Sequence, residues 1–322
     1  MGQFTFKQST DLKTLTKDSI IPESDYSIMG PDGMFHQFEY QDETKGVSKY
    51  EVNTGTWKIV KTMAGYKLEP TSFVKDSILE EFVNTKKIED VVQCFFSNLH
   101  LYAEFGIEIP KRGVLLYGPA GTGKSTAISK CIENYTKDGE TAVIVWHSAK
   151  MEAYEVKDFI STFEYVGVKK LILVIEDLGG IENENTRIAS DQSLLSLLDN
   201  QEKTFTIPIM IIATTNFPEN FASNLTNRAG RFDDKIEVGY PDGKARQALL
   251  KFFAKDYATS EALEYVGTNK CDKLPPSQLR EAYIRCRIHS KTLIQTLKEM
   301  NGEAMMYEKA FSKQKGMGFS ND

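Results

Sequence analysis

The pattern of apolar and polar side chains changes twice along the chain, and each change predicts a different kind of structure. Residues 26 to about 70 alternate between the two classes, as in MFHQFEY and SKYEVN, with turn sequences such as PDG between them. Alternation with a period of two predicts short strands that bury one face. Residues 1–25 show no periodicity, so we expect a loose N-terminal arm there.

A helical period replaces the alternation from Asp76 onward. Apolar side chains then recur three or four residues apart on one face: Ile88, Val91, Val92, Phe95, Phe96, Leu99 and Tyr102. This spacing predicts an amphipathic helix whose apolar face packs into the core.

After Pro110, continuous apolar runs alternate with helix-length segments. The runs are GVLLYG, TAVIVWH, KLILVIED and IPIMIIATTN, followed by DKIEVGYP as a fifth. Such runs fit strands buried on both faces, so we predict an α/β fold with a parallel five-stranded sheet.

Everything beyond Pro241 has a helical pattern. Five apolar positions of LREAYIRCRIHSKTLIQTLKEM fall on one face: Leu279, Tyr283, Cys286, Leu293 and Leu297. We therefore expect three parts in the chain. They are a small β-containing N-terminal module (1–70), an α/β domain (71–243), and a helical lid with a flexible tail (244–322).

Composition narrows the class of protein without giving its function. The 322 residues are 41% hydrophobic and 26% charged, as in globular proteins. No apolar run approaches the roughly 20 residues that span a bilayer, and MGQFTFKQST lacks the apolar stretch of a signal peptide. The four cysteines form no CxxC pair. We expect a cytoplasmic protein with no membrane partner.

The net charge of −6 is unevenly distributed. Residues 76–243 contain 16 basic and 26 acidic side chains, whereas residues 244–322 contain 14 basic and nine acidic ones. An acidic middle disfavours a nucleic-acid clamp, because neutralising phosphates needs a basic surface. The basic C-terminal part keeps a nucleic-acid partner open as a less favoured alternative.

One motif predicts phosphate binding. The strand GVLLYG leads into GPAGTGKST, which satisfies G-x-x-x-x-G-K-[ST] and precedes a helix. Its nucleotide-binding residues are Gly118, Pro119, Ala120, Gly121, Thr122, Gly123, Lys124, Ser125 and Thr126. In this motif the backbone N–H groups wrap a phosphate chain, the lysine reaches the β- and γ-phosphates, and the Ser125 hydroxyl binds Mg²⁺. We therefore predict ATP and Mg²⁺ as ligands.

Two acids end the strand LILVI, about fifty residues after Lys124. Nucleotide hydrolases of this pattern usually carry Asp and then Glu, but here Glu176 precedes Asp177. By register, Glu176 takes the magnesium-side position and Asp177 that of the base that polarises the attacking water. The exchange shifts a carboxylate by about 1.5 Å, and we expect it to slow hydrolysis. A solvated acid pair at a strand end is the alternative.

Polar residues after the next strand complete the candidate site. Asn216 follows IIATT and is placed to orient water or the γ-phosphate. Arg228 and Arg231 lie three residues apart in NRAGRFDD. They either form a surface salt bridge or reach the γ-phosphate bound by a neighbouring subunit and stabilise charge there.

These motifs together resemble the AAA family of ATPases, over about residues 70–300. The resemblance rests on GPAGTGKST, the acidic strand, IIATTN and the R-x-G-R-F-D run. It implies that Asn216 is the sensor 1 residue and that the paired arginines act across a ring interface. Finer matches, in TSFVKDSILEEFV, AEFGIEIPKRGVLLYGPAGTGKS, SLLSLLDN and PPSQLREAY, are similar to the mitochondrial AAA protein of the Rieske iron–sulfur subunit.

The chain also departs from the family pattern. It shows no transmembrane segment, and HSAKMEAYEV lacks the glycine of the usual aromatic–hydrophobic–Gly pore loop. Ser277 occupies the position where some relatives place a sensor 2 arginine, so Arg280 is not given that role. Threading of a polypeptide through a pore is therefore not predicted.

The sequence favours Mg²⁺-dependent ATP hydrolysis in a homo-oligomeric ring, a hexamer or similar, coupled to remodelling or chaperoning a protein. The N-terminal module is the expected contact for a substrate or adaptor. Two alternatives remain open. One is a nucleic-acid machine of the helicase or clamp-loader type, and the other is a nucleotide-gated scaffold that hydrolyses ATP slowly.

Overall fold

A computed structural model of the chain describes residues 26–29, 35–40, 47–52, 54–62, 65–71, 85–133, 135, 138–147, 163, 168–178, 198, 205, 207–218 and 231–315. The predicted N-terminal arm and the segment that follows His147, where a pore loop was considered, lie outside these residues.

The chain divides into two compact units. The sheet unit comprises Met1–Lys75, Thr85–Tyr117 and Ala127–Ile236. The lid unit comprises Asp76–Asn84, Gly118–Thr126 and Glu237–Asp322. The glycine-rich loop is thus grouped with the helical lid, although it directly follows a strand of the sheet unit.

The described strands form two sheets. They are β1 (Tyr26–Met29), β2 (Phe35–Tyr40), β3 (Val47–Val52), β4 (Gly55–Thr62), β5 (Gly65–Pro70), β6 (Lys111–Tyr117), β7 (Thr141–His147), β8 (Lys170–Glu176), β9 (Ile209–Thr215) and β10 (Asp234–Glu237). The larger sheet has the order β10-β6-β9-β8-β7-β4-β5, and β1, β2 and β3 form an antiparallel sheet of their own.

The predicted α/β fold with a parallel sheet is confirmed. Strand β6 pairs in parallel with β9, β9 with β8, and β8 with β7. Every residue of β9 and the five central residues of β8 are buried. Both faces of these strands are therefore covered, which is why their sequences are continuous apolar runs.

The larger sheet has seven described strands instead of the predicted five, because the hairpin of β4 and β5 extends it. Strand β4 pairs in parallel with β7, and Trp57 and Leu68 are buried in the same core cluster as β7, β8 and β9. Two strands of the stretch 1–70, β4 and β5, therefore belong to the larger sheet. Alternation correctly predicted strands here, but it carries no information on the partner of β4, which lies 87 residues further along the chain.

Charged side chains join the strands where β7 and β8 begin, which we call the amino-terminal edge. Glu140 accepts hydrogen bonds from Lys169 and Lys170 at 3.0 and 2.9 Å. The two ammonium groups lower the pKa of Glu140 to about 2. Burial acts to raise the pKa of Asp138, but hydrogen bonds from the Thr141 hydroxyl and from two backbone N–H groups outweigh burial and lower it.

The described helices are α1 (Thr85–Ser97), α2 (Leu99–Glu104), α3 (Lys124–Glu133), α4 (Gly243–Ala254), α5 (Ser260–Gly267), α6 (Pro276–Ile288) and α7 (Leu293–Lys315). The predicted apolar face of α1 is confirmed, with Ile88, Val92 and Phe95 buried. The helical pattern beyond residue 276 is split into two helices, and Ser290 has a φ of 52° between them. None of the described helices is both long and apolar enough to cross a membrane.

A buried arginine organises the lid unit. Arg246 is 2% exposed and donates to the carbonyl oxygens of Pro241, Val266 and Thr268 and to the carboxylate of Asp272. A buried guanidinium is tolerated because its donors are satisfied in this way. It ties the start of α4 to the end of α5, around a core that includes Leu250, Leu279 and Leu297.

Candidate functional site

Three neighbouring parallel strands end together at the opposite side of the sheet, which we call the carboxyl-terminal edge. The register aligns Tyr117 of β6 with Thr215 of β9, and Ile175 of β8 with Ala213 of β9. Glu176, Asp177 and Asn216 come at the ends of β8 and β9, and the glycine-rich loop starts where β6 ends. Carboxyl ends of parallel strands are the usual position of ligand sites in α/β sheets.

Asp177 has an uncommon backbone conformation. Its φ is 53°, in the left-handed region, whereas Glu176 still belongs to the extended strand. The Asp177 N–H donates to the Thr214 hydroxyl at 3.0 Å, and the side chain of Asp177 is exposed. Asn216 Nδ2 donates to Asp177 Oδ1 at 3.3 Å. The structure thus brings together the predicted base and the predicted sensor.

The glycine-rich loop has the geometry of a phosphate cradle. Gly118, Gly121 and Gly123 have φ values of 145°, 76° and 97°, which favour glycine at all three positions. The ammonium of Lys124 lies inside the loop and donates to the carbonyl oxygens of Gly118 and Pro119 at 2.7 and 2.8 Å. Lys124 is only 6% exposed, and helix α3 begins with it.

Two contacts within the lid unit hold this loop. A Cβ atom on Gly118 would collide with the carbonyl oxygen of Val238, and one on Gly121 would collide with the Ser277 hydroxyl. The Ser277 N–H also donates to the Gly121 carbonyl at 3.3 Å. The sequence identified Ser277 only as a departure from the family pattern. Its contact with the loop could not be predicted from spacing.

The residues of the glycine-rich loop fit the phosphates of a nucleotide. The loop offers backbone N–H groups, the Lys124 ammonium and the positive end of α3, all of which attract phosphate oxygens. The predicted metal ligands, the Ser125 hydroxyl and the Glu176 carboxylate, are the oxygen donors that Mg²⁺ prefers. Within the described part of the chain, no group of three or more His, Cys, Asp or Glu side chains could hold a metal by itself.

The two predicted arginines differ in what the structure says of them. Arg228 lies outside the described residues. Arg231 is 5% exposed, and its backbone packs so closely on β6 that a Cβ on Gly113 would collide with the Arg231 carbonyl. The Asp233 N–H donates to the Gly113 carbonyl, and the Gly113 N–H donates to the Asp233 carboxylate. A guanidinium that acts on a neighbouring subunit has to be accessible, and Arg231 is buried in its own chain.

Comparison with known proteins adds a family to this geometry. Residues 114–240 match the family model of the ATPase family associated with various cellular activities (AAA). The chain is 31% identical over 176 residues to the ATPase family gene 2 protein of Schizosaccharomyces pombe, covering 51% of this chain and 21% of that protein. It is 30% identical over 215 residues to the proteasome-activating nucleotidase of Saccharolobus solfataricus, covering 61% and 51%.

A third relative is the cell division cycle protein 48 homolog of Archaeoglobus fulgidus. The two are 29% identical over 195 residues, covering 55% of this chain and 25% of the relative. The chain thus spans between 21% and 51% of the length of these relatives. The match to the family model includes most of β6, both acids, the asparagine and both arginines. These similarities support the prediction of an ATP-hydrolysing domain, and it is residues 114–240 that are similar to the AAA family.

Proposed function

We propose that the protein is a Mg²⁺-dependent ATPase that works as a homo-oligomeric ring and remodels or chaperones a protein partner. The observation that carries this proposal is the cluster at the carboxyl-terminal edge. Asp177 and Asn216 are joined by a hydrogen bond there, beside the strand that leads into the phosphate-binding loop. An acid and an amide so placed can hold and polarise a water molecule for attack on a phosphate.

Each residue has a proposed role in this reaction. Lys124 and the loop N–H groups bind the phosphates, and Ser125 and Glu176 hold Mg²⁺, which neutralises charge on the phosphate oxygens when bound. Asp177 accepts the proton of the attacking water, and Asn216 orients it. Arg228 stabilises charge on the nucleotide of a neighbouring subunit. We assign Arg231 instead to the packing of the residues before β10 on β6, because its side chain is buried.

The nucleic-acid alternative has weaker support in the lid. The lid carries the excess of basic residues, but several of these contact acids of the same unit. Arg285 contacts Glu281 and Glu303, and Lys291 contacts Glu299. Cations engaged in this way contribute less to phosphate binding. We therefore keep a protein partner as the preferred substrate class.

The N-terminal residues are the proposed contact for that partner. The fold limits which truncation can test this role, because β4 and β5 belong to the core of the larger sheet. A deletion that reaches residue 69 would remove buried Trp57 and Leu68 and would test folding instead. A chain that starts at Thr54 should hydrolyse ATP at a comparable rate and lose the partner. Retention of the partner by an intact truncated ring would contradict this role.

Two narrower assignments are part of the proposal. The resemblance to the mitochondrial AAA protein of the Rieske iron–sulfur subunit rests on TSFVKDSILEEFV, AEFGIEIPKRGVLLYGPAGTGKS, SLLSLLDN, PPSQLREAY and the Glu-Asp order, and we propose that branch as the nearest in mechanism. We also propose a reducing compartment such as the cytoplasm. Four free cysteines, of which three are buried, support this.

The function is tested by measuring ATP turnover alone, with a chemically unfolded model protein, and with single-stranded DNA. Light scattering on the same samples gives the particle mass, and Lys124→Ala serves as the control for contaminating ATPases. We expect a concentration-dependent ring whose turnover rises several-fold with unfolded protein. Stimulation by DNA alone would establish the nucleic-acid machine. Slow turnover that responds to neither would establish the scaffold.

A further inference from the structure

Asp177, the acid that directly follows β8, adopts a backbone conformation that most residues avoid. Asp177 is one of three non-glycine residues with positive φ among the described residues, and the other two, Lys255 and Ser290, follow helices of the lid. Left-handed backbone is unfavourable for L-residues because Cβ approaches the following carbonyl oxygen. Asp and Asn adopt it several times more readily than other non-glycine residues, since their short polar side chains can bond locally.

Thr214 holds this conformation by accepting hydrogen bonds from two consecutive backbone N–H groups. Its hydroxyl accepts the Asp177 N–H at 3.0 Å, and its backbone carbonyl accepts the Leu178 N–H at 2.8 Å. Thr214 is 2% exposed and lies in β9, whose seven residues are all buried. The anchor of the left-handed residue is therefore rigid, and it belongs to a neighbouring strand.

The next residue of β9 performs a related task. The Thr215 hydroxyl accepts the Phe217 N–H at 3.0 Å and so fixes the turn that contains Asn216. Two consecutive threonine hydroxyls thus hold the backbone at the two residues that meet in the Asp177–Asn216 hydrogen bond. This bond, at 3.3 Å, requires both turns to be in place at once.

We propose that Thr214 is a positioning residue for ATP hydrolysis, and that the left-handed turn it holds is the reason for the exchanged order of the two acids. The turn comes directly after Glu176, so the second acid is the one that must tolerate positive φ. An aspartate tolerates it better than a glutamate. The turn then directs the shorter carboxylate to Asn216, which offsets the lost methylene. This inference rests on the proposed role of Asp177 as the base.

The test uses three single substitutions of buried threonines in the full-length chain. Thr214→Val keeps the shape of the side chain and removes the hydroxyl, whereas Thr214→Ser keeps the hydroxyl. Thr141→Val is the matched control, because Thr141 is also fully buried in the sheet and its hydroxyl bonds to Asp138 at the amino-terminal edge. For each variant kcat, the Kd for ATP and the melting temperature are measured.

We expect Thr214→Val to lower kcat about tenfold or more, equivalent to about 1.4 kcal/mol in the barrier, with the Kd for ATP within about twofold. Thr214→Ser should recover most of kcat. Thr141→Val should lower the melting temperature and leave kcat unchanged. In an Asp177→Asn background, Thr214→Val should have no further effect on kcat, because it acts through the same carboxylate.

The remaining outcomes show whether the role of Thr214 or the proposed role of Asp177 is wrong. If Asp177→Asn stops turnover but Thr214→Val does not lower kcat, Thr214 is not a positioning residue. An equal loss in Thr214→Val and Thr214→Ser would show that packing, and not the hydroxyl, is what matters. If Asp177→Asn turns over normally, the proposed base is wrong, whatever Thr214 does. Should Thr214→Val fail to fold, Asp177→Glu decides on its own, and wild-type turnover in that variant would overturn the explanation of the acid order.

Discussion

The two edges of one parallel sheet carry acidic residues in opposite circumstances. At the amino-terminal edge, Asp138 and Glu140 accept hydrogen bonds from a threonine, two lysines and backbone N–H groups, and their pKa values are lowered. At the carboxyl-terminal edge, Asp177 is exposed, its backbone is left-handed, and its carboxylate accepts a long hydrogen bond from an amide.

The difference shows at which edge side-chain contacts stabilise the fold and at which edge a backbone conformation destabilises it. Paired charges at strand starts stabilise the sheet, although surface pairs contribute little individually. A non-glycine residue in the left-handed region costs about 1–3 kcal/mol and persists only where its surroundings hold it. Thr214 holds the backbone of Asp177 through a hydrogen bond, and the candidate catalytic residues lie at the same edge. Variants at the carboxyl-terminal edge should therefore change turnover, and variants at the amino-terminal edge should change stability.

Loss of the phosphate-binding ammonium is the largest expected effect. Lys124→Ala should reduce ATP affinity at least about 100-fold, because the ammonium neutralises phosphate charge inside the loop. Lys169→Ala removes an ammonium at the amino-terminal edge and is the matched control. Isothermal titration calorimetry should show that the control binds ATP as the wild type does. Unchanged binding by Lys124→Ala would overturn the assignment of the phosphate loop.

The two arginines should separate chemistry from stability in the same way. Arg228→Ala should bind ATP and lose about 100-fold or more in turnover, since a charge-stabilising arginine is worth at least that much. When doped into wild type, it should depress activity more than dilution predicts. Arg231→Ala should instead lower the melting temperature, because it empties a buried position. Strictly linear mixing with Arg228→Ala would mean that each subunit works alone.

A methyl group added to β6 tests the packing behind Arg231. Gly113→Ala places a Cβ against the Arg231 carbonyl in a sheet interior that has no spare room. Overpacking of this kind typically costs about 1–3 kcal/mol, measured as the free energy of unfolding in urea. Gly302→Ala, at a helical glycine with open space around it, is the control and should not destabilise the protein. Equal stability of the two variants would mean that the backbone at Arg231 can move away from β6.

The smallest expected effect belongs to Glu140. Its folded pKa of about 2 lies below the ordinary value of 4.5, so its contribution is present above pH 4.5 and is lost as pH falls towards 2. Glu140→Gln should therefore lower the melting temperature slightly at pH 7, with kcat unchanged. The melting temperatures of Glu140→Gln and of the wild type should become equal near pH 2. A difference that persists at that pH would mean that charge is not the cause.

The sequence predicted the local motifs of the site better than its geometry, and the chemistry assigned to these residues stays a prediction. The spacing of residues along the sequence was enough to locate the loop from Gly118 to Thr126 and the two acids at the end of β8. A motif and the strand beside it are local features of the sequence. It could not predict that β4 joins β7, since alternation in GTWKIV indicates a buried face and not a partner. The burial of Arg231 and the contact of Ser277 with the loop depend on packing between segments distant in the chain.

The backbone of Asp177 is the clearest case of this limit. The sequence showed the order of the acids and could offer only a shift of about 1.5 Å as its consequence. A left-handed turn at a strand end leaves no sequence signal unless glycine occupies it, and Asp is common in many other places. The reason for the order became visible only with the hydrogen bond to Thr214.

The central claim is that the carboxylate of Asp177 is the catalytic base, and single-turnover hydrolysis by Asp177→Asn tests it most directly. Asparagine also tolerates the left-handed backbone, so this change removes the charge and spares the turn. ATP binding is measured on the same sample. We predict wild-type affinity with hydrolysis slowed at least about 100-fold. Wild-type hydrolysis by Asp177→Asn, together with its loss in Glu176→Gln, would contradict the account and move the base to Glu176.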